Sequence, residues 1–105
     1  MQRKTILQLG GSAVAALCLA ATAPAFAYTG QSLAKHAKIS LEQARATALA
    51  AHAGAITDQE LEREKGGTGL RYSFDIKGAD GVHEVGVDAR TGKLLENKKE
   101  GPNAD

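Results

Sequence analysis

The chain has 105 residues, of which 43% are apolar, 24% are charged and 4% are aromatic, and its formal net charge is +1. That length supports one small domain. A net charge so close to zero excludes the clustered basic excess of a nucleic-acid-binding protein. We therefore expect no nucleic-acid partner, and the composition indicates no substrate.

Residues 1–27 have the three parts of a secretory signal peptide. Arg3 and Lys4 form a short positive region, residues 6–23 are mostly apolar or small and uncharged, and an A-x-A cleavage motif ends at Ala27. We expect cleavage after Ala27, and therefore a periplasmic or secreted protein with no stable membrane insertion. The alternative is retention of the segment as an anchor, which its weakly inserting Ala and Gly residues disfavour.

Cys18 does not fit a lipoprotein signal. Such a signal has Leu three residues before the Cys and a small residue directly before it, but Ala15 and Leu17 stand at those two positions. We expect Cys18 to leave with the signal. The processed chain, residues 28–105, then contains no Cys, which excludes a disulfide and a thiolate metal site.

A helix is predicted after a short N-terminal stretch, residues 28–38, which we interpret as a linker or a short helix. Ser40 and Gln43 have the spacing of a capping box. Residues 41–53 are rich in Ala and contain no Gly or Pro, and Gly54 stands where a left-handed C-terminal cap is expected. Helical spacing gives this segment an apolar face: Leu41, Ala44, Ala48 and Ala51.

The apolar period changes to two after the helix, which predicts strands. The first strand, residues 55–65, is polar, residues 70–77 give the clearest alternation, residues 82–87 form a third strand, and a fourth begins at Lys93. Residues 98–105 are expected to be a flexible tail. The apolar side chains share one face: Leu61, Tyr72, Phe74, Ile76, Val85 and Val87. The other face is polar: Glu62, Glu64, Arg71, Ser73, Lys77 and Glu84.

The fold class that follows is α+β, with one α-helix packed on a three- to four-stranded antiparallel meander sheet and the other face of the sheet in water. Four-residue loops would pair Leu61 with Phe74 in the first hairpin and Phe74 with Val85 in the second. A slip of one residue would mix the two faces, so the pattern specifies the register.

Three stretches of the chain together resemble the PepSY domain, over residues 39–97. They are the helix start Ile39–Ala44 with Ala48 and Gly54, the aromatic strand Tyr72–Ile76, and the run Val87-Asp88-Ala89-Arg90-Thr91-Gly92-Lys93-Leu94. The resemblance implies a non-catalytic module with no defined catalytic residues. It occurs in the propeptides of thermolysin-like metallopeptidases and in small exported proteins, and is often suggested to restrain peptidases. Gly86 departs from the pattern, because a larger residue is expected there.

The closing run of that resemblance is expected to be structural. Thr91 and Gly92 supply a turn position with positive φ, and the carboxylate of Asp88 can accept hydrogen bonds from turn amides.

No catalytic, cofactor-binding or metal-ligating residue is predicted, and no cofactor. His36, His52 and His83 lack metal-ligand spacing and are interpreted as three independent surface or rim positions. No histidine stands beside a serine, and the glycine-rich residues 66–69 join two strands rather than open a helix, which excludes a phosphate loop.

Four acidic residues alternate along the first strand: Asp58, Glu60, Glu62 and Glu64. We interpret them as a solvated face that discourages pairing between sheet edges, with a cation site as the alternative.

Two functions remain open. The first is an exported non-catalytic module, not an enzyme, that binds a peptidase or another envelope protein through unpaired backbone groups of residues 55–65. The second is a periplasmic small-ligand or metal-ion sensor or accessory protein.

Overall fold

The computed structural model describes residues 27–101. The predicted signal peptide, apart from Ala27, lies outside the described residues, so its cleavage stays a prediction. The described chain contains a 3-10 helix, one α-helix and four strands: Gln31–His36, then α1 (Leu41–Ala51), β1 (Ala55–Arg63), β2 (Leu70–Gly78), β3 (Gly81–Asp88) and β4 (Leu94–Lys99). The strands form an antiparallel sheet in the order β1-β2-β3-β4, and α1 contacts β2, β3 and β4. The predicted α+β fold is confirmed.

Helix α1 begins as the sequence predicts and ends earlier. The Gln43 amide donates to Ser40 Oγ over 3.0 Å, and the Ser40 amide donates to Gln43 Oε1 over 2.9 Å. The helix ends at Ala51, because His52 adopts an extended conformation with φ −148°. Gly54 is therefore not the left-handed cap that was predicted. Its φ is +155°, and its backbone lies so close to the Lys77 carbonyl that a Cβ would not fit.

The core lies between α1 and one face of the sheet. Ala44 and Ala48 are fully buried there, and their small side chains allow the helix to approach the strands closely. The predicted apolar face of the sheet is confirmed, since its large side chains are almost completely buried: Leu61, Tyr72, Phe74, Ile76, Val85 and Val87. The Tyr72 hydroxyl satisfies its polar end by donating to the Ile39 carbonyl over 3.0 Å.

The first hairpin has a different register from the predicted one. Leu61 pairs with Tyr72 instead of Phe74, because the Glu64 amide donates to the Gly69 carbonyl over 3.1 Å and closes the loop one residue earlier. The resulting shift of two residues leaves every side chain on its predicted face. The second hairpin has the predicted register, with Phe74 opposite Val85.

Two local features adjust the outer strands. A β-bulge in β1 between Ile56 and Asp58 places Ile56 on the helix side and Asp58 on the open face. At the other edge, β4 continues through Lys98 and Lys99, which pair with Glu84 and His83 on β3. Those two residues therefore belong to the sheet and not to the predicted tail.

Candidate functional site

The outer edge of β1 is partly covered by the chain that precedes the 3-10 helix. The Leu61 amide donates to the Thr29 carbonyl over 2.9 Å, and Thr29 forms a parallel bridge with Glu60. Gly30, with φ +85°, lies against the Leu61 carbonyl where no Cβ would fit. We call residues 28–30 the strap. The predicted edge strand is confirmed, but the prediction that its backbone groups are unpaired is wrong at Leu61.

A groove of about 300 Å³ lies beside the strap. Its lining comes from Ala27, the strap, α1 and the first half of β1: Ala27, Tyr28, Thr29, Arg45, Ile56, Thr57, Asp58 and Gln59. Arg45 Nη1 donates to Gln59 Oε1 over 2.6 Å and so fixes the wall nearest the helix. Because N–H groups two residues apart in a strand point the same way, the Gln59 amide faces outward like that of Leu61. The groove thus offers an outward-facing backbone donor between a guanidinium and the Asp58 carboxylate.

The open face of the sheet, which is the face away from α1, carries more carboxylates than the first strand alone indicated. Burial, followed by the charges of Glu62 and Asp58, raises the pKa of Glu60. Burial, followed by the charges of Glu96 and Asp75, raises the pKa of Glu84. Carboxylates from all four strands therefore repel one another on this face.

One part of the open face is not solvated, contrary to the interpretation of the polar set. Arg71 is only 8% exposed. It lies across Gly86, where a Cβ would be 3.1 Å from Arg71 Nη1, and donates to Glu96 Oε1 over 3.1 Å and to the Lys65 carbonyl over 2.9 Å. This position of Arg71 explains why glycine stands at 86. Ser73, also buried, donates to Glu62 Oε2 over 2.7 Å.

Asp88 holds the turns together at one end of the sheet. Its buried carboxylate accepts hydrogen bonds from the Thr68 amide at 2.6 Å and hydroxyl at 3.0 Å, and from the amides of Arg90 at 2.8 Å and Thr91 at 2.9 Å. Burial favours a raised pKa for Asp88, but the hydrogen bonds from Thr68, Thr91 and Arg90 outweigh it and hold the pKa far below its ordinary value. With Gly92 at φ +79°, the predicted structural role of Asp88 and Gly92 is confirmed.

Arg90 extends this arrangement to the start of the domain. Its Nε donates to the His36 carbonyl over 3.1 Å and its Nη1 donates to the Thr68 carbonyl over 3.0 Å. One side chain thereby ties the 3-10 helix to the β1–β2 loop.

A second cluster lies at the opposite end of the sheet. The rings of His52 and His83 stack with centroids 3.6 Å apart and an interplanar angle of 10°. Asp80, in the β2–β3 turn, lies 3.7 Å from His52 Nε2 and 3.2 Å from His83 Nε2. The interpretation of three independent histidines is therefore wrong for these two, and only His36 lies apart. Sequence spacing gave no signal for the contact, because α1 brings His52 to His83 through tertiary packing.

The family model described as peptidase propeptide and YPEB domain, or PepSY, matches residues 38–98. The chain belongs to the PepSY family. The match covers the range that the sequence resemblance gave, extended by one residue at each end. No curated protein and no solved structure matches the chain significantly. The PepSY domain suggests a module of the propeptide or inhibitor kind.

Two serine hydroxyls of this PepSY domain are engaged in structure. Ser40 caps α1 and Ser73 donates to Glu62. Within residues 27–101, no hydrogen bond joins a serine or threonine hydroxyl to a histidine, so that part of the chain contains no paired nucleophile and base. The helices in that range also include none with the length and apolar character to cross a membrane.

Proposed function

We propose that this PepSY domain is an exported, non-catalytic module that binds a peptidase through the β1 edge and restrains it. The observation that carries the proposal is the strap. The edge already binds one extended segment by a main-chain hydrogen bond, from Leu61 to Thr29, and the groove continues that edge toward Thr57. Addition of an extended segment to a sheet edge is a common mode of peptide recognition.

A peptidase cleft has the complementary chemistry, because it holds extended chains by their backbone groups. The outward Gln59 amide supplies a donor to such a cleft. Arg45 and Asp58 offer opposite charges at the groove, and the carboxylates of Glu60 and Glu62 lie on the adjoining open face. These charges would select among partners and raise the association rate more than the affinity.

Export and the absence of catalysis are supported by separate observations. The signal-like residues 1–27 support a periplasmic or secreted location. The structural engagement of Ser40, Ser73 and Asp88 supports a domain that binds rather than hydrolyses.

The test is a titration of the processed protein into thermolysin-like peptidases and into peptidases of the host's own envelope. The wild-type protein should lower the activity of at least one of them. Gln59→Pro removes the outward amide and should weaken inhibition about fivefold to tenfold, the effect of roughly one hydrogen bond.

The matched control is Gln59→Ala. It removes the same contact with Arg45 but keeps the backbone donor, so it should inhibit nearly as well as the wild-type protein. Equal loss in both variants would mean that the side chain and not the strand edge binds. No effect on any peptidase would contradict the restraining role.

A further inference from the structure

The cluster at the end of the sheet away from Asp88 combines three metal-ligating side chains from three elements. His52 follows α1, Asp80 lies in the β2–β3 turn, and His83 lies in β3. Each offers one ligand atom, and the three atoms lie within 4.8 Å of one another. The side chains of His52 and His83 are only 11% and 15% exposed, whereas that of Asp80 is 56% exposed.

The hydrogen bonds around His83 define which of its nitrogens carries a proton. The Asn97 amide nitrogen donates to the Ala51 carbonyl over 3.3 Å, and a carbonyl can only accept. The oxygen of the Asn97 side chain therefore faces His83 Nδ1, 2.7 Å away, and Nδ1 must be the donor. In the neutral ring, Nε2 then directs its lone pair at the Asp80 carboxylate.

Two imidazole nitrogens and one carboxylate oxygen thus converge at the same place. His83 Nε2 faces Asp80 at 3.2 Å, and the buried His52 Nε2 has no hydrogen-bond partner within the described residues. A proton on His83 would satisfy one nitrogen and leave His52 unpartnered. A single bound cation would satisfy all three side chains.

The backbone leaves room for this arrangement. A Cβ at Gly78 would lie 2.6 Å from His52 Nε2 and 2.9 Å from its Cε1. Glycine at this strand position therefore admits the His52 ring to the cluster.

We propose that His52, Asp80 and His83 bind a divalent transition-metal ion such as Zn²⁺. Two imidazole nitrogens and one carboxylate oxygen suit such an ion and leave one coordination position for water. The hydrogen bond from His83 Nδ1 to Asn97 is the support that metal-ligating histidines generally have. This site is separate from the β1 edge, and its test does not depend on the peptidase proposal.

Binding requires a small local closure. Ligand atoms around tetrahedral zinc are about 3.3 Å apart, so the stacked rings must tilt until their Nε2 lone pairs converge. Asp80 is free to follow, since it lies in an exposed turn. Lys99 lies opposite His83 on β4, and its positive charge opposes a cation. The Asp80 carboxylate is therefore needed to balance it.

The experiment is zinc titration of metal-free processed protein by calorimetry, with thermal melts in parallel. We expect one Zn²⁺ per chain, a melting temperature raised by about 10–20 °C at 100 times Kd, and no comparable effect of Ca²⁺ or Mg²⁺. Co²⁺ should give the visible absorption of a four-coordinate site.

The variants separate the cluster from general histidine binding. His52→Gln, His83→Gln and Asp80→Asn should each weaken zinc binding by about tenfold or more. His36→Gln, at the histidine outside the cluster, should bind as the wild-type protein does. Because Asp80 lies in an exposed turn, the Asp80→Asn variant should still fold, and a thermal melt without metal will verify this. Absence of stoichiometric zinc binding, or equal loss in His36→Gln, would overturn the proposal.

Discussion

Strand β3 ends at Asp88 and is directly preceded by Asp80, and these two carboxylates have opposite surroundings. Asp88 is 1% exposed and accepts hydrogen bonds from Thr68, Arg90 and Thr91. Asp80 is exposed and faces the ring nitrogens of His52 and His83. At one end a carboxylate meets only hydrogen-bond donors, whereas at the other it faces two imidazole nitrogens, of which His52 Nε2 has no hydrogen-bond partner within the described residues.

The difference separates a group that maintains the fold from a group that is available to a ligand. A buried carboxylate that already accepts four hydrogen bonds has little capacity left for a partner, and removal of that carboxylate leaves several donors unsatisfied. Asp80 is exposed and contributes little to packing, and the neighbouring His52 Nε2, which has no hydrogen-bond partner within the described residues, gains one only when something binds. The following changes test that distinction.

The largest effect is expected from Asp88→Ala. The amides of Thr68, Arg90 and Thr91 would lose their acceptor, and the free energy of unfolding should fall by about 3–5 kcal/mol. That loss is comparable to the whole stability of a domain of this size. Asp80→Ala should leave the metal-free melting temperature unchanged within error. Urea and thermal unfolding measure both, and similar losses in the two variants would erase the contrast.

Acid should act through the same carboxylate. The pKa of Asp88 is lower in the folded state than its ordinary value of 3.8. The ionised carboxylate therefore makes its full contribution to the free energy of unfolding above pH 3.8, and that contribution is lost as the pH falls from 3.8 toward the folded-state pKa. Melts between pH 7 and pH 2 should show a steeper loss of stability for the wild-type protein than for Asp88→Asn. Parallel pH profiles would show that Asp88 does not control acid unfolding.

A smaller effect is expected from Gly78→Ala at the other end. The added methyl group would lie 2.6 Å from both His52 Nε2 and the Ala53 carbonyl oxygen. Displacement of the ring should cost about 1–3 kcal/mol and separate the stacked rings, which the imidazole proton shifts of His52 and His83 in NMR spectra report. Gly101→Ala is the control, because nothing lies within 4 Å of a Cβ there. Unchanged imidazole shifts in Gly78→Ala would contradict the close contact between Gly78 and the His52 ring.

The smallest effect concerns the Thr68 hydroxyl in the Asp88 cluster. Thr68→Val removes the hydroxyl that donates to Asp88 Oδ1 over 3.0 Å and accepts a longer bond of 3.3 Å from Arg90 Nη1. It keeps the amide donor, and Arg90 Nη1 keeps the Thr68 carbonyl, so the substitution should cost about 1 kcal/mol. Thr57→Val removes an exposed hydroxyl bond to the Asp75 carbonyl and should cost less. Chemical denaturation measures both variants. A larger loss of unfolding free energy for Thr57→Val would contradict the expectation that the more buried hydrogen bond contributes more.

Local chemistry made the Asp88 end predictable from the sequence. The Asp88 carboxylate accepts hydrogen bonds from amides two and three residues later, and Gly92 occupies the position with positive φ. The turn therefore forms from neighbouring residues. The capping box at Ser40 and the alternation through Phe74 are equally local. The first-hairpin register was missed, because four-residue loops at 65–68 and 66–69 both suit its glycines and only contacts such as Thr68 with Asp88 distinguish them.

The other end and the strap were not predictable in this way. His52 and His83 are separated in the sequence by the two strands β1 and β2 and their connecting turns, and they meet only because α1 ends above the β2–β3 hairpin. The strap depends on Gly30 lying against the Leu61 carbonyl, a contact between segments that show no pattern in common. Both features arise from tertiary packing, which neither periodicity nor motif spacing reports.

The central claim, that β1 is the edge that docks a peptidase, is tested most directly by amide hydrogen exchange in the complex with a peptidase that the protein inhibits. The Gln59 amide should become protected on binding, whereas that of Leu61, already bonded to Thr29, should change little. Amides of β4, the opposite edge, should exchange as in the free protein. Protection confined to β4 or to the Asp80 turn, with Gln59 unchanged, would contradict the claim.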